Sequence, residues 1–158
     1  MKTQRITLMA AVLATSFILF FSNRSVAGAE IVGIPSPTPA KVMTEYRGVP
    51  LGMSADTVRT NLGKPKDASD EMDLYLFGEN ESVQFFYDKA KLVRAMLITF
   101  SGDIKAAPVA KDVFGEEIPA NEDGSIFKMV RFEKAGYWIS YSRSGGSDQV
   151  ITIAMQKI

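Results

Sequence analysis

The chain has 158 residues, 46% of them hydrophobic and 23% charged, which are the proportions of an ordinary soluble globular protein. Its 18 basic side chains balance 18 acidic ones, so it lacks the positive surplus that nucleic-acid binding draws on. It has no histidine and no cysteine, which excludes Ser-His-Asp and Cys-His catalysis, disulfide staples and zinc sites built from those residues.

The chain opens like an export signal. Lys2 and Arg5 precede an apolar run from Ile6 to Phe21, and Ala27-Gly28-Ala29 supplies a small-x-small cleavage site. The run is shorter than the roughly 20 apolar residues that cross a bilayer. Residues 1–29 therefore read as a signal peptide cleaved after Ala29, with no stable membrane anchor remaining and a periplasmic or secreted destination. Residues 30–47 read as a linker, because Pro35, Pro37 and Pro39 remove backbone donors at alternate positions and favour an extended chain.

From residue 48 the pattern turns to helix and strand. Ser54 can cap a helix, Asp56 suits its positive end, Val58 and Leu62 share a face, and Gly63 with Pro65 stops it. Three segments rich in aromatic and branched residues follow, at Leu74–Phe77, Ser82–Tyr87 and Leu92–Phe100, joined by short polar turns as in antiparallel hairpins. The order then restarts. Val109 and Val113 are spaced for a helix that Gly115 ends, and Ile126–Glu133, Tyr137–Arg143 and Val150–Lys157 read as strands. The fold expected from this layout is α+β: two tandem units, residues 48–101 and 102–158, each a helix plus a three-stranded antiparallel sheet with the helices packed on one sheet face.

The pattern G-M-S-x-x-x-V-x-x-x-L-G-x-P, carried by Gly52, Met53, Ser54, Val58, Leu62, Gly63 and Pro65, resembles the opening of outer-membrane assembly lipoproteins of the SmpA/OmlA (BamE-like) group. The doubled layout is similar to the tandem arrangement of the β-lactamase inhibitor protein family. Either resemblance implies protein binding in the cell envelope or outside the cell, and no catalysis. The chain departs from the lipoproteins in having no cysteine to carry a lipid.

Few residues are candidates for chemistry. Asp67, Asp70, Glu71 and Asp73 could surround a hard cation or furnish an acid and base pair, but their spacing completes no calcium loop and a solvated turn explains them. Asn121–Ser125 has calcium-loop residues with the glycine misplaced, and reads as a turn before a strand. Lys89, Lys91 and Arg94, with Lys128, Arg131 and Lys134, could form basic spots for a phosphate or an acidic partner, but charge at strand edges that blocks unwanted pairing explains them.

Alternation along the strands is more informative. Val83, Phe85, Tyr87, Tyr137, Ile139, Tyr141, Ile151, Ile153 and Met155 form an inward set, which leaves Phe86 and Trp138 outward among polar residues. Exposed aromatics beside hydrogen-bonding side chains are a common composition of protein-binding surfaces. The expected docking residues are Phe86, Trp138, Gln84, Ser140 and Thr152. The function expected is an exported, non-enzymatic module that binds a protein or peptide through the outer sheet face, with no cofactor and no metal. The alternatives are a component of envelope or outer-membrane maintenance and a carboxylate-dependent hydrolase.

Overall fold

A computed structural model describes residues 41–158; the expected signal peptide and most of the expected linker lie outside the described residues. The chain begins with a hairpin, β1 (Glu45–Tyr46) and β2 (Val49–Pro50), whose turn puts Arg47 and Gly48 at φ of 49° and 74°. Two successive positive φ values match the twist of a tight hairpin, and glycine at the second takes it without strain. Helix α1 (Ala55–Leu62) follows, then β3 (Asp67–Ala68), β4 (Met72–Leu76), β5 (Glu81–Tyr87) and β6 (Val93–Phe100). Helix α2 (Ala110–Phe114) precedes β7 (Ile126–Phe132), β8 (Tyr137–Arg143) and β9 (Ile151–Lys157).

The expectation of two tandem helix-plus-three-strand units is wrong. All strands after α1 belong to one antiparallel sheet of seven, in the order β3-β4-β5-β6-β9-β8-β7, beside the two-stranded hairpin. Strand accounts for 42% of the described structure and helix for 16%, so the sheet is the body of the fold and the two helices are partial cover. The join lies between β6 and β9, which pair from Ala95↔Gln156 to Phe100↔Ile151. The physical reason is burial. β6 carries Val93, Met96, Ile98 and Phe100 on one side and Ala95 and Leu97 on the other, so an edge position would expose apolar side chains and a row of unpaired backbone groups to water.

Helix α1 forms where the sequence signals it. Ser54 Oγ accepts from Thr57 N–H at 3.2 Å, and Gly63, at φ 80°, ends the helix by donating to the Arg59 carbonyl. Helix α2 is a single turn and a half, started by the Asp112 carboxylate accepting from Val109 N–H and stopped by Gly115 in the left-handed conformation. The helices contribute Ala55, Val58, Ala110, Val113 and Phe114 to one core cluster with Val49 of the hairpin. The sheet contributes Val83, Phe85, Met96, Ile98, Ile139, Tyr141, Ile151, Ile153 and Met155 to the same cluster.

Two polar clamps fasten this cover. Arg59 of α1 forms a bidentate pair with Asp73 of β4, at 2.9 Å from Nε to Oδ2 and 2.8 Å from Nη2 to Oδ1, and Tyr87 of β5 donates to Oδ2 at 2.8 Å. Asp73 is fully buried. Burial first and then the bond to that carboxylate push the Tyr87 phenol far above its ordinary value, and the same carboxylate raises the Arg59 guanidinium. At the hairpin, Arg47 donates to both oxygens of Glu81 and lies 4.0 Å from the centroid of the Phe77 ring, while Tyr46 donates to Glu81 at 2.8 Å. Among the described residues no helix is long and apolar enough to cross a membrane.

Candidate functional site

Because side chains alternate across a strand, the residues between the core positions form a second, outer face. The register assembles it into three rows. The first runs Met72, Phe86, Ala95, Gln156, Trp138, Arg131; the second Leu74, Gln84, Leu97, Ala154, Ser140, Met129; the third Leu76, Ser82, Thr99, Thr152, Ser142, Phe127. Helices, hairpin and core cluster all lie against the opposite face. Leu76, Met129 and Phe127 remain 52%, 50% and 69% exposed, and the five expected docking residues are partly exposed.

Phe86 and Trp138 stand in one row, separated by β6 and β9, which at normal strand spacing puts their backbones about 14 Å apart. Between them in that row stand Ala95 and Gln156, and in the next row Leu97 and the small Ala154. A hollow of about 250 Å³ opens between the two rings, with Leu97, Gln156 and Arg94 also in its wall. Gln84 and Ser140 belong to the second row and Thr152 to the third, so all five expected residues share this face. The sequence reading missed the floor, Ala95, Leu97 and Ala154, and the apolar flank, Phe127 and Met129. Their parity in β6, β9 and β7 marks their face, and only the order of strands brings them beside Phe86 and Trp138.

The register shifts at one place on this face. Phe86 pairs with Ala95 and Tyr87 with Val93, which leaves Arg94 as the extra residue of a bulge in β6. A bulge bends its strand and re-aims a side chain. Arg94 is exposed and stands at the junction of the hollow with a larger open cavity of about 590 Å³ that includes Asp70, Glu71, Asp88, Lys89 and Lys91. Asp70 is paired with Lys91 at 2.8 Å, and that contact, by hydrogen bond and charge, lowers its carboxyl below the usual range. The Asp88 carboxylate accepts from Ala90 N–H and Leu92 N–H.

The acidic run does not converge. Asp73 is sealed beneath α1 with both oxygens engaged, while Asp67 and Glu71 are exposed apart from it. Asn121–Ser125 is a turn, in which Asp123 Oδ1 accepts from Ser125 N–H and Asn121 N–H donates to the Ser125 carbonyl. Lys128 and Arg131 pair with Glu116 and Glu133. Among the described residues no group of three His, Cys, Asp or Glu side chains could hold a metal ion. Compared with protein-family models, curated proteins and solved structures, the chain finds no match in any of the three.

Proposed function

We propose that the chain is an exported, non-enzymatic binding module that docks a protein or an exposed peptide loop on the outer face of its sheet. The observation that carries this reading is a largely uncharged sheet face left without a covering layer among the described residues, with a hollow toward one end of it between Phe86 and Trp138. Single exposed apolar residues are ordinary, but an uncovered sheet face with apolar side chains at ten of its eighteen positions and neutral polar ones at seven is a feature of interaction sites. Six strands by three rows span about 29 by 20 Å, or roughly 600 Å², which approaches the ~800 Å² per partner of a standard protein interface. The leader pattern of residues 1–29 supports export. The resemblance of Gly52 to Pro65 to outer-membrane assembly lipoproteins supports envelope maintenance as the setting in which the same face would work.

A photoreactive residue at position 138 of the full chain, irradiated in the native host, tests the reading. The expected result is one discrete protein adduct that is absent when the probe stands at the exposed Lys64 and is lost on Ser140→Arg. The same capture pattern from both positions would overturn it.

A further inference from the structure

We propose that the face selects a partner by a paired signal, an apolar side chain seated between Phe86 and Trp138 and a carboxylate held by Arg94 beside it. This rests on the docking reading above and adds the chemistry of the partner. Three observations carry it.

The first is charge. The three rows contain eighteen positions and no carboxylate, and their one charged residue, Arg131, is already paired with Glu133. The face therefore offers nothing to a basic partner at its centre.

The second is Arg94 itself. The bulge adds this residue to the wall of the hollow, and among the described residues no carboxylate lies within ion-pair distance of its guanidinium, although Asp70, Glu71 and Asp88 line the neighbouring cavity. Asp70 is engaged by Lys91, and Asp88 caps its own turn. A free guanidinium fork beside an apolar pocket suits the two oxygens of a carboxylate.

The third is shape. Ala95 and Gln156 between the two large rings, with the small Ala154 in the next row, leave an open hollow of about 250 Å³, room for one aliphatic or aromatic side chain. The occupant is a loop on a protein, presenting one large apolar residue with Asp or Glu one or two positions away.

Selection of disulfide-closed peptide loops from a displayed random library against the full chain tests this directly. The expected outcome is enrichment of loops that combine an aromatic or aliphatic residue with Asp or Glu, whose affinity falls about tenfold on Arg94→Gln. Selection against Arg94→Glu should replace the acidic residue by Lys or Arg while keeping the apolar one. Enriched loops that bind through Trp138, as judged by loss on Trp138→Ala, yet show no acidic preference and no response to Arg94 would overturn this inference and leave the docking face standing. No enrichment, or enrichment indifferent to Trp138→Ala in a chain that keeps its circular dichroism spectrum, would remove both.

Discussion

The two faces of the seven-stranded sheet are made by neighbouring residues of the same strands, and they have opposite fates. Phe85, Ile98, Ile153 and Ile139 are completely buried under the helices and hairpin, whereas Gln84, Leu97, Ala154 and Ser140, each one position away, stay partly open to solvent. The inner face is aliphatic and aromatic and is fastened at its margin by two polar clamps. The outer face mixes large apolar side chains with neutral hydrogen-bonding ones. A sheet that needed only to be solvated would carry more charge on that side. The difference teaches that the residues that hold the fold and those of the proposed docking face are separated by one step along each strand.

Substitution of paired neighbours should expose this separation. Phe85→Ala empties a site packed edge-on by Tyr75 and should cost about 3–5 kcal/mol in urea unfolding, while Gln84→Ala on the same strand should cost less than about 0.5 kcal/mol. Similar losses from both would erase the distinction between faces. Asp73→Ala should come next, at about 2 kcal/mol, because it leaves the buried Tyr87 hydroxyl without its acceptor, while the partly exposed Arg59 keeps its bond to the Ser69 carbonyl.

The hairpin clamp gives a smaller, pH-dependent effect. Burial works to raise the Glu81 carboxyl, but the bonds from Arg47 and Tyr46 outweigh it and hold the group below its ordinary value. A depressed carboxylate contributes stability above its unfolded pKa, about 4.3, and loses that contribution as pH falls through the lower folded value. Chemical unfolding followed from pH 6 downward should therefore show a fall in stability below about pH 4.3 that is reduced in Glu81→Gln, with a difference of up to about 1 kcal/mol at neutral pH. A small change in stability, under about 1 kcal/mol, is expected for Trp138→Ala, which should nevertheless abolish docking.

Much of this arrangement was legible in the sequence because local signals state it. Ser54 and Gly63 mark the bounds of α1, and alternation in Val83–Tyr87, Tyr137–Tyr141 and Ile151–Met155 identifies which side chains are buried. The five residues expected to dock a partner fall on one face for the same reason. What local signals do not state is which strands meet. The pairing of β6 with β9 joins residues more than fifty positions apart, and two separate sheets satisfy hairpin rules equally well. The sign that separates the two is the apolar outer side of β6, Ala95 and Leu97, proper to a strand flanked on both edges, against the charged Lys128 and Arg131 of β7 at the edge. Arg94 was grouped with the edge lysines for want of the register that makes it a bulge residue.

Absence of cysteine from the chain allows the difference between faces to be measured at single positions. Ser140→Cys and Ile139→Cys, each introduced alone into the full chain, place a thiol on either side of one strand. Maleimide labelling under native conditions should be fast at position 140 and negligible at position 139 until denaturant unfolds the protein. Equal protection of both thiols in the native chain would mean that the outer face is covered, and would contradict its role as a docking surface.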